Sequence, residues 1–214
     1  MKGDGQNQPN MTECSLCKII DRNPQKSVLN RIVCENDFFM LIPSIGPIDM
    51  GHFLIVSKIH ASGLATMTLK EIDAFWNFVN YIKQKLAGID ILFFEHGSYE
   101  NFDAGSCISH THIHVMPYYA NFFSVLDVAN LEIAYTNYDC LQLDQIDYPY
   151  IMAFNTQNEL RIYKAYNVHS QMMRKAICSF KKIDNWDWKA NKNIRMIKEG
   201  IGFWTSKLSN QDPK

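Results

Sequence analysis

The segment SHTHIHVMP, residues 109–117, constrains the fold more than any other stretch of this chain. His110, His112 and His114 alternate with Thr111, Ile113 and Val115. A repeat of two belongs to an extended strand, where residues two apart share a face about 6–7 Å from one another. The three imidazoles therefore line one face, and Ile113 and Val115 turn to the other, which suits a core. Three of the chain's seven histidines stand in this row. Imidazoles so placed repel one another once protonated. The row reads in three ways: a wet sheet face with no task, a three-histidine catalytic metal site, or a nucleophilic imidazole whose neighbours hold a phosphate.

The segments around the row suggest an α+β pattern. VLNRIVCEN and FFMLIPSI read as two strands with END as the turn between them. HFLIVSK, residues 52–58, is a strand entered through Gly51, and IDILFFEHG is another. Between them, Ile72, Phe75, Trp76, Val79, Ile82 and Leu86 recur at helical spacing. Thr68 with Glu71 forms a capping box, and Gly88 is a stop. CSLCKIIDRN is a turn leading into a brief helix. After Asn121, FFSVLDVANLEI reads as helix, YPYIMAFNTQNELRIYKAYN as a hairpin turning at NTQNE, and the last two periodic stretches as helices. The expected organisation is a polar, disordered tail over 1–12, a catalytic domain over 13–120, and an extension over 121–214 packed on it.

The 214 residues carry a formal net charge of -1, so no basic field argues for extended nucleic acid, and a small molecule is the expected partner. No run has the length of a membrane span. The first residues, MKGDGQNQPNMTE, lack the apolar stretch of a secretory signal, and a reduced, cytoplasmic setting is expected for the six cysteines. Cys14 and Cys17 are then free for metal. With two of the histidines they would complete a closed tetrahedral zinc site and leave a histidine of the row for chemistry.

GHFLIVSKIH, a strand ending in EHG, then AGSC and HTHIHVMP, together with the early CSLCKII, resemble the histidine triad (HIT) family of nucleotide hydrolases and transferases. The resemblance runs from Cys14 to Tyr118. It implies an antiparallel sheet with one long helix, followed here by a mixed α/β extension. A distant branch, that of galactose-1-phosphate uridylyltransferase, holds a structural zinc. Carried over, that resemblance implies Cys14, Cys17, His60 and His110 as zinc ligands. It implies His112 as the nucleophile that forms a covalent nucleotidyl-histidine, with His114 and His52 holding phosphate oxygens. It further implies that Gly105, Ser106 and Cys107 face the phosphate, that Ser44 stands where some members place an acidic ribose ligand, and that the molecule is a homodimer. Many members carry Gln and Ser at the positions of Ser106 and Cys107, and Asn at that of Glu95. A hydrolase with zinc on the histidine row, and a nucleotide sensor without turnover, are the other readings.

Other candidates have two readings each. Arg174, three residues after Gln171, can grip a phosphate in bidentate fashion or lie on a solvated face with Lys175, Lys181 and Lys182. His96 lines the pocket or is a structural histidine. Trp186 and Trp188 cover the core or stack on a base. His169 reads as a surface residue, and Cys34, Cys140 and Cys178 as buried small residues.

Overall fold

The computed structural model describes residues 14–21, 27–99, 105–127, 131–136, 138 and 141–209. The expected tail over 1–12, Cys140 and the middle of the loop 98–107 lie outside the described residues.

The chain builds one antiparallel sheet from β1 (Cys34–Glu35), β2 (Phe39–Pro43), β3 (Phe53–Ser57), β4 (Ile91–Gly97), β5 (His112–Pro117), β6 (Ile133–Tyr135), β7 (Tyr150–Asn155) and β8 (Leu160–Lys164). Their order is β1-β2-β3-β5-β4-β7-β8-β6. The histidine strand is thus central, flanked by β3 and β4. β7 pairs along the far edge of β4, with Phe93 opposite Phe154 and Glu95 opposite Met152. The strands after residue 121 continue the same sheet.

Each face of the sheet collects its own helices. α2 (Leu69–Lys85) and α5 (Ile194–Ser209) cover the face where Phe39, Phe53, Phe93, Ile113, Val115 and Phe154 are buried. α3 (Phe122–Asp127) and α4 (Met172–Lys181) cover part of the other, over Leu92, Phe94, Met116 and Ile151. α1 (Ser15–Asp21) lies on that second face above Met40, Ile42 and Val56. The alternation in β5 therefore does what its period requires: Ile113 and Val115 enter one core while His112 and His114 face the opposite side. The capping box opens α2, with the Glu71 carboxylate accepting from the Thr68 N–H and hydroxyl at 2.8 Å each.

Two expected elements differ. In VLNRIVCEN only Cys34–Glu35 is strand; Val28–Asn30 curls into a 3-10 turn whose Leu29 N–H donates to Ser27 Oγ, a local bond that competes with extension. In FFSVLDVANLEI the described helix is Phe122–Asp127, and Ile133–Tyr135 instead adds an edge strand to β8. Cys34 is half-buried rather than buried, while Cys178 is fully covered.

Gly97 closes β4 beneath the Tyr150 ring; a Cβ there would stand 2.1 Å from Tyr150 Cζ. That ring is pinned, because its hydroxyl donates to Glu95 at 2.5 Å and accepts from the Ala65 N–H at 3.2 Å. Burial raises the Glu95 carboxyl to about 7. Gly97→Ala is expected to destabilise the fold by about 1–3 kcal/mol, as overpacking of a filled core does, read as a lower urea midpoint.

Candidate active site and metal centre

Cys14 and Cys17 sit one helical turn apart at the start of α1, so their thiols share a direction. His60 follows β3, and His110 stands just before β5. One ligand atom from each of these four residues lies within 4.8 Å of the other three. Cys17 Sγ is 3.2 Å from His60 Nδ1 and 3.5 Å from His110 Nδ1, and Cys14 Sγ is 3.5 Å from His110 Nδ1. His110 Nε2 donates to the Ser57 carbonyl at 2.9 Å, so its Nδ1 lone pair faces the sulfurs. Two thiols and two neutral imidazoles converging in a covered site make a donor set that could hold a metal ion. Burial raises the Cys17 thiol to about 11, and it lowers both imidazoles, His110 to about 4. His60 Nε2 is buried without a partner.

The other two histidines of the row belong to β5. His112 Nδ1 is 2.6 Å from the His110 carbonyl oxygen. A carbonyl only accepts, so Nδ1 carries the proton and Nε2 keeps its lone pair. His112 and His114 both line a cavity of about 190 Å³. Burial lowers the His112 pKa, against the pull of that carbonyl, so the ring is neutral near pH 7. One carbonyl thus aims a basic nitrogen.

His52 is a partner of His114 and does not line the cavity. The Ile48 N–H donates to His52 Nδ1 at 3.1 Å, which places the proton on Nε2. That proton is donated to His114 Nδ1 at 2.8 Å, leaving the His114 proton on Nε2. The His114 ring stacks on Phe94 with centroids 4.3 Å apart. His52, 1% exposed, fixes the tautomer of His114. Of the two histidines expected at the phosphate, the structure places His114 on the cavity wall and His52 behind it; the signal that a second ring stands between His52 and the cavity is tertiary.

Burial pushes both rings well below the usual histidine value of 6.5, with the Arg174 charge adding to it. They are neutral in the fold and protonate near 6.5 when unfolded, so below that pH the unfolded chain binds more protons. Their contribution is full above 6.5 and is lost as pH falls toward the folded values. A urea midpoint lower at about pH 5.5 than at about pH 7.5 is the expected outcome; an unchanged or higher midpoint contradicts it.

The cavity brings together Ser44, His96, Gly105, Ser106, Cys107, His112, His114 and Arg174. Its other walls are largely apolar, from Leu16 and Ile19 of α1, Leu29, Ile42, Leu54 and Ile108. Among the described residues no carboxylate lines it. Ser106 Oγ is turned onto its own loop, donating to the Ile108 carbonyl at 2.7 Å, and Cys107 Sγ is 2.9 Å from Ser170 Oγ. Gly105, at φ +75°, is where two backbones meet: a Cβ would stand 2.7 Å from the His169 carbonyl oxygen. Its glycine is required by the positive φ and by the backbone of segment 168–171.

Arg174 is 4% exposed and does not lie on a solvated face. Its Nε donates to the Trp186 carbonyl at 2.6 Å and one Nη to the Gly46 carbonyl at 2.7 Å. Burial lowers its pKa, to about 10, which leaves it charged at neutral pH. Gln171 and Trp188 join it on the cavity wall, Trp188 against Gly46, where a Cβ would meet it at 2.6 Å. Trp186 remains at the surface, and so does His169. The apolar wall was missed in the sequence, because its residues come from five separate segments and each reads as ordinary core.

Fold and site together define an α+β domain whose central strand presents two neutral histidines to a cavity beside a two-cysteine, two-histidine cluster. Residues 25–121 match the family model described as HIT domain. This part of the chain is similar to histidine triad domains. Over 118 residues the chain is 29% identical to an uncharacterized HIT-like protein of Borreliella burgdorferi, covering 52% of this chain and 79% of that protein. Among solved structures, a HIT family hydrolase from Clostridium thermocellum is 21% identical with a TM-score of 0.39, over 52% of this chain and 95% of that one. A Zn-bound histidine triad family protein from Mycobacterium smegmatis is 20% identical with a TM-score of 0.38, over 52% and 78%.

Proposed function

We propose that the chain is a nucleotide hydrolase or nucleotidyl transferase whose His112 forms a covalent nucleotidyl-histidine. The 2.6 Å bond from His112 Nδ1 to the His110 carbonyl carries the reading, because it leaves a basic Nε2 in a cavity. The Nε2 lone pair attacks the α-phosphorus and expels the leaving group. The positive charge that the ring then gains is held by the same carbonyl. His114 Nε2–H donates to a phosphoryl oxygen as charge builds on it, in the tautomer His52 sets. Loop N–H groups near Gly105 add to that oxygen's environment. Water or a second acceptor then takes the nucleotidyl group. The apolar wall suits the base and sugar.

Zinc on Cys14, Cys17, His60 and His110 has a structural task in this reading. Four protein donors close a tetrahedral site. The ion would tie α1 to the residue that orients His112. The cluster includes neither His112 nor His114, which speaks against a catalytic zinc on the row. Among the described residues no helix is long and apolar enough to cross a membrane.

Intact mass spectrometry tests the reading. The zinc-loaded protein is mixed briefly with adenosine, guanosine, cytidine and uridine 5′-phosphoanhydrides and phosphoramidates. A mass increase of one nucleotidyl group is expected in the wild type and not in His112→Ala. Stabilisation by nucleotide with neither adduct nor turnover would instead make the chain a sensor.

A further inference from the structure

The cavity is lined by two unlike groups of residues. α1 supplies Leu16 and Ile19, with Ile42 and Leu54 of the adjacent strands packed beside them. α1 is also the helix that brings Cys14 and Cys17 to His110, the residue whose carbonyl orients His112. α4 and the turn before it supply Gln171 and Arg174. That turn is stitched to the loop 105–107, by the Gln171 N–H on the Gly105 carbonyl at 3.2 Å and by the Cys107–Ser170 contact. Arg174 is stitched to the loop 46–48 through Gly46, and the same loop holds His52 through Ile48. The guanidinium charge is accordingly felt by His52 and His114.

Arg174 is a buried cation whose two bonded partners are both neutral carbonyls. Among the described residues it makes no ion pair; the Asp187 carboxylate favours its charge from a distance without bonding it. Arg174 lines the cavity, and among the described residues no carboxylate does. Burying a charge without a counter-ion is costly, and chains keep such charges where an anion arrives to meet them. No bonded counter-ion meets Arg174 on the cavity wall.

We propose that Arg174 receives the anionic leaving group, and that the substrate class is a nucleoside 5′-phosphoanhydride rather than a phosphoramidate. The inference rests on the nucleotidyl-histidine reading above. In the first step the Nε2 lone pair of His112 forms an N–P bond with the α-phosphorus. The bond from that phosphorus to the bridging oxygen breaks, and its electron pair leaves with the departing phosphate, which gains one negative charge at Arg174. His112 loses no proton, since Nε2 bears none. In the second step a water oxygen bonds to phosphorus, the N–P pair returns to His112, and the water's proton is released to solvent. A departing amine is protonated as it leaves and would gain nothing from a guanidinium. The sequence after residue 121 thus contributes the residue that selects the leaving group.

The test compares kcat/KM for diadenosine triphosphate and adenosine 5′-phosphoramidate in wild type, Arg174→Gln and Arg174→Lys, with metal content and Tm as folding controls. The wild type is expected to favour the anhydride. Arg174→Gln should lose about 100-fold on the anhydride and less than about threefold on the phosphoramidate, the range seen on removing one charge-stabilising donor. Arg174→Lys should keep part of the preference, because it keeps the charge without the fork. Equal losses on both substrates, or none on either, would overturn the proposal. If Arg174→Gln does not fold, the wild-type ratio decides: a preference for the phosphoramidate overturns it. Absence of any His112 adduct with either substrate sinks the covalent reading itself, whereas an adduct from the phosphoramidate alone sinks only the role of Arg174.

Discussion

His112→Ala is expected to lower turnover by about 10⁴-fold or more, as losing a nucleophile does elsewhere. The size follows from the geometry. One nitrogen of this ring is committed to the His110 carbonyl and the other faces the cavity. His114 Nδ1 accepts from His52, and His110 belongs to the metal cluster. Neither neighbour can present an equivalent lone pair. The substitution removes one hydrogen bond from a half-buried ring, a stability cost of about 1 kcal/mol. Steady-state kinetics, metal analysis and thermal unfolding on one preparation check this. Activity within about tenfold of wild type would remove His112 from the role. Loss of metal together with activity would move it into the metal site.

The second large effect concerns the cluster. Cys17→Ala, or removal of metal by a strong chelator, is expected to cost several kcal/mol, since a structural zinc's binding energy is also folding energy. For a chain of this length that is a Tm lower by about 10 °C or more. α1 has seven residues and only Leu16 and Cys17 buried. A helix so short is marginal alone, so a metal on the four donors would be its main anchor. Its loss would open one wall of the cavity and free the His110 carbonyl. Substrate affinity should fall along with stability, and restoring zinc to the chelated wild type should recover both. A Cys17→Ala protein with unchanged metal content and unchanged Tm would end the structural-zinc reading.

Parts of this outcome were legible in the residues. The period of two in the histidine row is local information, and it correctly separates Ile113 and Val115, which enter the core, from His112 and His114, which face the cavity. The Cys14–Cys17 spacing is a helical turn and needs no tertiary knowledge to put two thiols together. The Thr68–Glu71 cap formed where its residue types stand three apart.

Other features depend on which surfaces meet. Arg174 sits on a helix with lysines and could have faced water; it is buried because Gly46, on the cavity wall, and Trp186 offer it carbonyls. His52 opens β3 as read, yet it stands behind His114 because of the register that sets Leu54 opposite His114. β7 reads as half of a hairpin, and nothing in it names β4 as its other neighbour. Periodicity and capping act over a few residues, so the chain by itself determined which strand carries the histidines, which way they point and which cysteines pair with them. The choice of partner among distant segments is made by the packing of two whole faces. Only the tertiary structure therefore decided that a cation from α4 reaches the histidine cavity and that His52 acts through His114.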